Sequence, residues 1–492
     1  MKELKLVINT KDSKGTINKN IYGMFIEHTG RIINDGLYVG EHSDIPNKNG
    51  VRLDILDAFR QIHVPLLHWP GGMTSEFVHW RDSIGDKDER KRVPNTLGVR
   101  EKLIDDNGFG LHEFFDLCEE LDAEPYYVFG SGQVSSEEIA ECMEYVCYDG
   151  DTTVTRQRKK NGREKPWKNK YLVIGNEWWF YESAASYMSR YGAAVHFAKR
   201  FMDSPFKVMR GPQSWDIHLT HRMMNALDEA PMMDTNRPNA MTLYFVMNEA
   251  SFGAERKALG FSDEEYYTSL QYIPFTDRQL DRHLGVLKRN PYYDNIKLCV
   301  DEWGAWHDTY NMWEMHTTMR DAILAAATLN TFNNKCDVIE MAALCFAVNG
   351  LHSILLTQGD QMIKTPTFYV FDQYKAHQDA THVATYVEKD EIPMPRFNIP
   401  TISHSASIKD GKLLLSLVNV SATESVKLDG TVLYEHYTRG SGEMLMADPR
   451  TENTFEAPEL AKSEPFYDFK ITENGLNITL PPCSVVTITL EQ

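Results

Sequence analysis

The sequence predicts an α/β protein in which a (β/α)8 TIM barrel is followed by a C-terminal β-sandwich domain. The chain has 492 residues, which is more than one hydrophobic core normally holds, so a large and a smaller domain are expected. From residue 21 to about 378, short apolar runs alternate with amphipathic helical windows, as in a parallel sheet with crossover helices. From about residue 379 onward, short alternating strands with turn signals replace the helical period.

Eight apolar, β-branched segments are the candidates for barrel strands, and eight β/α units fit a closed barrel. They are Ile21–Glu27, Pro65–Trp69, Glu124–Phe129, Tyr171–Asn176, Lys207–Gly211, Ala240–Val246, Ile296–Glu302 and Asp337–Phe346. Amphipathic windows such as Leu111–Leu121 lie between them and present one apolar face. Within residues 1–20, the alternating segment Leu4–Ile8 could pair with the sandwich, but the sequence does not decide this.

The charge and hydropathy of the chain argue against nucleic acid or a membrane as partner. The net charge is −19, which repels polyanions on average. Between Arg156 and Lys170, eight of fifteen residues are basic, but Trp167 is the one aromatic residue among them, which favours a solvated loop. No apolar run approaches the length of a membrane span. Glu3 and Lys5 interrupt any apolar signal core, and the seven scattered cysteines favour a reducing cytoplasm.

Two weak ligand-binding signals have simpler structural explanations. His218 and His221 have i,i+3 spacing without a third ligand beside them. Gly130-Ser131-Gly132 could cradle a phosphate, but the following Ser135-x-x-Glu138 indicates a capping box at the start of a helix. We therefore expect neither a metal nor an organic cofactor.

Three carboxylic acids fall at the predicted C-terminal ends of strands, where the barrel opens: Glu27, Glu177 and Glu302. Glycoside hydrolysis needs two carboxyl groups across the reactive carbon of the sugar, one to protonate the leaving oxygen and one to attack or to activate water. Asn176, immediately before Glu177, could bind the sugar 2-hydroxyl. A single strand-end Glu is as often an ion-paired rim residue, but three together with neighbouring tryptophans favour a sugar site.

The chain resembles glycoside hydrolase family 51, the retaining α-L-arabinofuranosidases. Matching segments run in order along nearly the whole chain. They are GMFIEHTGR (23–31), WPGG (69–72), WRDSIG (80–85), FGLHEF (109–114), EPY (124–126), GNE (175–177), VDEWG (300–304), MRDA (319–322), KTPTFYVF (364–371) and LPPCSVV (480–486). The resemblance implies that Glu177 is the acid/base and Glu302 the nucleophile, and that Glu27 and Asn176 hold the sugar.

The departures from the family pattern concern the expected sugar pocket. His68 and Met73 replace the arginine and the asparagine of the family's Arg-Trp-Pro-Gly-Gly-Asn motif. Leu243 and Phe245 stand where the sixth strand of the family has a histidine and a second tyrosine, on either side of Tyr244. After Gly-Asn-Glu, the family loop Asn-Trp-Gly is replaced by Trp178, Trp179 and Phe180. Because lost hydrogen-bond partners change which sugar fits, these departures predict an altered sugar preference. We expect the substrate-binding residues to be Glu27, Asn176, His68, Met73, Trp178, Leu243, Tyr244, Phe245 and Trp303.

The sequence thus predicts a cytoplasmic exo-glycosidase that removes terminal α-L-arabinofuranosyl or a related sugar from small glycosides or oligosaccharides. One alternative is the same retaining machinery acting on another furanoside or a deoxy sugar. An alternative of another class is a carbohydrate-binding protein with weak catalysis. Retention implies carboxyl groups of Glu177 and Glu302 about 5 Å apart, with mutual repulsion raising the pKa of Glu177 relative to that of Glu302. The resemblance also implies a homo-oligomer.

Overall fold

The computed structural model describes residues 2–96, 98, 102–247, 252 and 255–492. Eight parallel strands close a barrel in which each strand pairs with the next along the chain and the eighth pairs with the first. All eight predicted strands are confirmed. In chain order they are Gly23–Phe25, Leu66–Trp69, Glu124–Phe129, Tyr171–Ile174, Phe206–Met209, Ala240–Met247, Lys297–Ala305 and Ile339–Cys345. They are called here the first to the eighth barrel strand.

The α-helices of the described residues are amphipathic where they cover the barrel. They are Leu53–Gln61, Leu111–Leu121, Ser136–Cys147, Thr153–Lys160, Ala184–Ala198, Ile217–Glu229, Asp263–Leu270, Tyr272–Leu287, Met319–Asn333 and Pro366–Tyr374. The helix predicted at Leu111–Leu121 forms over those residues and buries its apolar face. The helix after the third strand begins where the capping pattern predicts, because Ser135 Oγ accepts a hydrogen bond from the backbone N–H of Glu138.

The C-terminal part is a ten-stranded sheet that includes the N-terminal strand. Along the sheet, the strands are Ser463–Phe466, Arg439–Met446, Ser484–Glu491, Lys412–Asn419, Ile402–Lys409, Thr381–Val387, Lys2–Asn9, Val426–Leu433, Gly475–Leu480 and Phe469–Thr472. Leu6 and Ile8 of the N-terminal strand share one apolar core with residues from both halves of the sheet, such as Leu415 and Ile478. The N-terminal strand therefore does pair with the C-terminal domain.

The helix Met319–Asn333 is buried along almost its whole length because it lies between the barrel and this sheet. Asn330 and Asn333 donate side-chain hydrogen bonds of 3.1 Å to Ser403 and Ser405 of the sheet. The nearly all-round burial explains why this helix is not strongly amphipathic.

Four short antiparallel pairs complete the described strands: Asn47–Lys48 with Val51–Arg52, Val93–Pro94 with Ile104–Asp105, Leu355–Gln358 with Gln361–Lys364, and Glu391–Ile392 with Ile399–Pro400. Within the described ranges, no helix is both long and apolar enough to cross a membrane. All seven cysteines lie in these ranges as free thiols. The basic stretch is engaged within the molecule: Arg163 pairs with Glu119, and Arg158 is buried against backbone carbonyls.

Candidate active site

The three predicted acids converge at the C-terminal mouth of the barrel. Glu27 follows the first strand, Glu177 follows the fourth, and Glu302 lies within the seventh. Glu177 has a φ of 33°, in the left-handed region that non-glycine residues rarely adopt. Because such a conformation costs about 1–3 kcal/mol, it persists only where the surroundings impose it. The turn after the fourth strand therefore fixes the direction of the Glu177 side chain.

Gly71 and Gly72 allow the backbone after the second strand to approach two of these acids closely. A Cβ atom at Gly71 would lie 2.5 Å from Cγ of Glu27, and one at Gly72 would lie 2.8 Å from Oε1 of Glu302. Both distances are too short for any residue with a side chain. The Trp-Pro-Gly-Gly segment is thus explained by the space that Glu27 and Glu302 occupy.

Arg210, at the end of the fifth strand, is the residue that links the site and that the sequence reasoning missed. Its buried guanidinium donates hydrogen bonds to Asp301, to Oδ1 of Asn176, and to Oε1 of Glu302 at 2.7 Å. Its Nε donates to the hydroxyl of Tyr244, which in turn donates to Oδ1 of Asn176 at 2.8 Å. One cation therefore holds Glu302 and Asn176 in fixed positions.

Burial raises the pKa of both Glu177 and Glu302, and the positive charge of Arg210 opposes the shift in each case. Glu302 is also affected by the nearby charges of Asp301, Glu177 and Glu27, and its pKa is raised well above its usual range. The sequence predicts that the pKa of Glu177 is raised relative to that of Glu302, but both pKa values are raised and this order does not appear. The direct hydrogen bond from Arg210 is instead the interaction that favours ionised Glu302.

Glu27 is buried beside Glu177, and its carboxylate accepts a 2.9 Å hydrogen bond from the backbone N–H of Thr74. Burial raises the pKa of Glu27 to about 7; the hydrogen bonds from Thr74 oppose this shift, and the charge of Glu177 adds to it. The mouth therefore contains several carboxyl groups that compete for few protons near neutral pH.

Glu76 is a second residue that the sequence reasoning missed. Its carboxylate accepts hydrogen bonds from the backbone N–H groups of Ser131, Gly132 and Asn176, at 2.7–3.1 Å. Its charge also raises the pKa of Glu177, in addition to burial. The Gly-Ser-Gly loop, considered above as a phosphate cradle, thus binds a carboxylate of the chain itself.

Glu177 opens into a cavity of about 400 Å³. Asn176 and Glu177 form its inner wall. The other lining residues are Met73, Glu76, Phe77, Gly132, Gln133, Phe180 and Tyr181. Met73, one of the predicted substrate-binding residues, is therefore at the mouth.

Leu243 and Phe245, two of the predicted substrate-binding residues, are not among the residues that line this cavity. Both are fully buried, and both flank Tyr244, whose hydroxyl reaches Arg210 and Asn176 at the centre of the site. Both residues pack in the apolar core of the barrel.

Trp178 and Trp303 are also buried outside the mouth. Trp178 stacks on Tyr187 and donates a 3.0 Å hydrogen bond to the backbone oxygen of Arg210. Trp303 packs against Phe332 and Phe371 of two helices that cover the barrel. The contacts found for both tryptophans, which are predicted substrate-binding residues, are with the protein itself.

His68, another predicted substrate-binding residue, is fully buried inside the barrel. Its ring stacks on Phe25, and its nitrogens lie 3.0 and 3.3 Å from the backbone oxygens of Asp301 and Gly71. Burial, assisted by the charge of Arg210, lowers the pKa of His68 to about 3, so the ring is neutral. His68 thus supports the strand that carries Glu302.

A larger cavity of about 670 Å³ lies elsewhere and contains none of the predicted site residues. Its charged groups are paired with one another, for example Lys87 with Glu41 and Arg90 with Glu113. The barrel mouth, and not this cavity, is therefore the candidate active site.

Comparison with known proteins agrees with this geometry. Residues 58–242 match the family model described as the alpha-L-arabinofuranosidase 1 domain, and residues 301–484 match the alpha-L-arabinofuranosidase C-terminal domain. The chain is 34% identical to an intracellular exo-alpha-L-arabinofuranosidase of Bacteroides ovatus, over 100% of this chain and 96% of that protein. The chain belongs to the α-L-arabinofuranosidases of glycoside hydrolase family 51.

Solved structures of family 51 have the same architecture. The arabinofuranosidase of Xanthomonas axonopodis pv. citri has a TM-score of 0.91 at 28% identity and covers 99% of this chain and 100% of its own. An arabinose complex of the Thermotoga maritima enzyme has a TM-score of 0.87 at 25% identity, with the same coverage. As a family 51 arabinofuranosidase, the chain is a glycoside hydrolase with a TIM barrel and a C-terminal sheet domain.

Proposed function

We propose that this chain is a retaining exo-α-L-arabinofuranosidase in which Glu177 is the acid/base and Glu302 the nucleophile. The observation that carries the proposal is the Arg210 hydrogen-bond network, which holds Glu302 and Asn176 together at a mouth that Glu177 also enters. The Bacteroides ovatus relative, described as an intracellular exo-enzyme, supports the same activity.

In the first step, Glu302 attacks the anomeric carbon while Glu177 gives its proton to the departing oxygen, so that an ester joins the sugar to Glu302. In the second step, Glu177 takes a proton from water as the water oxygen attacks the same carbon and Glu302 leaves as carboxylate. Burial of Glu177 favours its protonated form before the first step. Ionised Glu302 is stabilised by the hydrogen bond from Arg210.

Asn176 and Glu27 are proposed to hold the sugar. Oδ1 of Asn176 is occupied by Arg210 and Tyr244, whereas its buried Nδ2 has no hydrogen-bond partner among the described residues. A buried donor without a partner is costly, and a sugar hydroxyl would satisfy it. Glu27, close to Glu177, would accept from a second hydroxyl.

Azide rescue tests the two catalytic roles. In Glu302→Ala, azide should replace the missing nucleophile and give a glycosyl azide of inverted configuration. In Glu177→Ala, azide should attack the sugar ester on Glu302 and give a glycosyl azide of retained configuration. The opposite pairing of products, or a product of wild-type hydrolysis with inverted configuration in NMR spectra, would refute the assignment. A distance of about 8 Å or more between the carboxyl groups would do the same.

A panel of nitrophenyl glycosides tests the sugar. Fastest hydrolysis of the α-L-arabinofuranoside supports the proposal. Faster hydrolysis of another furanoside or of a deoxy sugar would favour the alternative in which Met73 changes the preference. Binding of arabinose without turnover of any glycoside would favour a carbohydrate-binding protein.

We further propose that the enzyme acts in the cytoplasm on imported glycosides, and that it forms a homo-oligomer. Seven free cysteines suit a reducing compartment. Cell fractionation of the source organism and sedimentation of the purified protein test these two points. A culture-medium location or a monomer would refute them.

A further inference from the structure

The cavity beside Glu177 has unusually apolar walls. Four large side chains that face it are substantially exposed: Met73 at 42%, Phe77 at 52%, Phe180 at 70% and Tyr181 at 49%. Exposed apolar side chains gathered in one concave site mark a binding surface. We call this space the aglycone cavity, because the proton of Glu177 goes to the oxygen of the leaving group and the leaving group must therefore lie on this side.

Two polar side chains of the aglycone cavity, Glu76 and Tyr181, are already occupied within the protein. Glu76 accepts three backbone N–H groups. The hydroxyl of Tyr181 lies 3.2 Å from Oγ of Ser131 and 3.4 Å from the backbone oxygen of Asn176. Apart from Glu177 and from Asn176 Nδ2, which is assigned above to the arabinosyl sugar, Gln133 is the lining side chain left for a hydroxyl of the leaving group. A second sugar would bury hydroxyls here against carbon, which is unfavourable without partners.

An aromatic path connects the catalytic centre to this cavity. The ring of Trp179 packs edge-on against Tyr244, with ring centroids 5.5 Å apart, and in a tilted arrangement against Phe180, with centroids 5.9 Å apart. The hydroxyl of Tyr244 accepts a hydrogen bond from Arg210. A chain of contacts therefore runs from Arg210 through Tyr244 and Trp179 to Phe180. Phe180 stands where the family loop has glycine, so the path adds an apolar rim that the family motif lacks.

We propose that the aglycone cavity binds an apolar leaving group, an aryl or alkyl alcohol, in preference to a second sugar. This inference rests on the proposed function, since it requires Glu177 to be the acid. The volume of about 400 Å³ suits a one- or two-ring group. The natural substrates are then glycosides of small apolar alcohols and phenols instead of arabinan or arabinoxylan fragments.

The test compares leaving groups of similar acidity on one sugar, so that only the cavity contact changes. We expect the kcat/KM of the 2-phenylethyl α-L-arabinofuranoside to exceed that of the methyl glycoside, and that of an arabino-oligosaccharide, about tenfold or more. Tenfold corresponds to about 1.4 kcal/mol. Phe180→Ser and Phe77→Ser should reduce the ratio of 2-phenylethyl to methyl toward one. Phe197→Ser, an exposed phenylalanine on the helix Ala184–Ala198, is the matched control and should leave the ratio unchanged.

The outcomes separate this inference from the proposed function. Equal kcat/KM for the two alkyl glycosides, or a higher value for the arabino-oligosaccharide, overturns the apolar cavity while the arabinofuranosidase stands. If arabinofuranosides are inert and another sugar in the panel is hydrolysed, the proposed sugar is wrong, and the same ratio measured on that sugar decides the cavity. Absence of any hydrolysis refutes both.

Discussion

Replacement of Arg210 by methionine should separate the two roles of this residue, in stability and in the chemistry of Glu302. The substitution leaves Asp301 buried with no cation and removes the donor of Glu302. Loss of one partner from a buried ion pair costs about 3–5 kcal/mol. We therefore expect Arg210→Met to lose roughly that free energy of unfolding, measured by urea denaturation.

Arg210→Lys retains the charge but not the planar fork that reaches Glu302, Asp301 and Asn176 together. A hydrogen bond to a charged group is worth about 1.5–3 kcal/mol, so we expect kcat/KM on an activated aryl glycoside to fall about 10- to 100-fold. Arg210 lowers the pKa of Glu302 through its charge, and a lysine that does not reach Glu302 holds its charge farther away, so that pKa should rise. Glu302 must be ionised to attack, so the acidic limb of the pH profile should move to higher pH.

Arg158→Lys is the matched control, since Arg158 is also buried but donates to the backbone oxygens of Tyr145 and Tyr148, outside the mouth. It should reduce stability and leave the acidic limb where it is. A folded Arg210→Lys enzyme with unchanged kcat/KM and an unchanged acidic limb would show that Arg210 does not act on Glu302.

Three further predictions concern single side chains. Glu177→Ala should slow alkyl glycosides far more than nitrophenyl glycosides, because good leaving groups need no proton; equal losses in steady-state assays would contradict its acid role. The pKa of Glu27 is about 7 in the fold against an ordinary 4.5, so the stability that its protonated form provides is lost as pH rises from about 4.5 to 7. Glu27→Gln should therefore have a free energy of unfolding up to about 3 kcal/mol higher than that of the wild type at pH 8, measured by urea denaturation. At pH 4 the two free energies of unfolding should be nearly equal. Leu243→His should cost about 1–3 kcal/mol of stability through an unpaired buried imidazole and leave the sugar preference in the nitrophenyl panel unchanged; a shift toward arabinofuranose would mean that Leu243 does face the sugar.

The fold was predictable because its main signals are local. Each barrel strand is a short apolar run between polar helix faces, and such runs remain recognisable without any knowledge of their partners. The placement of Glu27, Glu177 and Glu302 followed from the same signal, because strand ends in a parallel barrel meet at one mouth. The pairing of Lys2–Asn9 was open because its two partner strands, Thr381–Val387 and Val426–Leu433, lie at the other end of the chain.

The side chains that connect these acids were missed because their roles depend on distant partners. Arg210 stands in the predicted strand Lys207–Gly211, and its position offered a usable signal: a charged residue in a strand buried on both faces requires a partner of opposite charge. His68 is neutral, whereas the family motif has an arginine at this position. The positive charge of that arginine must therefore come from another residue in this chain. Arg210, which reaches the Asp301 side chain while His68 contacts its backbone oxygen, supplies it.

The predicted sugar pocket rests on motif matching, which treats adjacent residues as equivalent. Trp303 follows Glu302 but packs against Phe332 and Phe371, and Leu243 and Phe245 are fully buried on either side of Tyr244. Simple alternation along the strands does not decide the directions of these side chains, because the register is irregular between Thr242 and Tyr244 and between Val300 and Trp303. Asp301 and Glu302, although adjacent, both reach Arg210.

The three backbone contacts of Glu76 bear on how substrate preference could diverge in this lineage. The turn Met73–Glu76 forms one wall of the aglycone cavity. The carboxylate of Glu76, its last residue, also accepts hydrogen bonds from the loop after the third strand and from the backbone N–H of Asn176. Substitutions of the side chains at Met73 or Phe77 leave these hydrogen bonds of Glu76 intact. An insertion or deletion between residues 71 and 77 would move the Glu76 carboxylate, and with it Asn176 and the adjacent Glu177. New leaving groups should therefore have been acquired here by point substitution at fixed loop length, and comparison of related genes can check this.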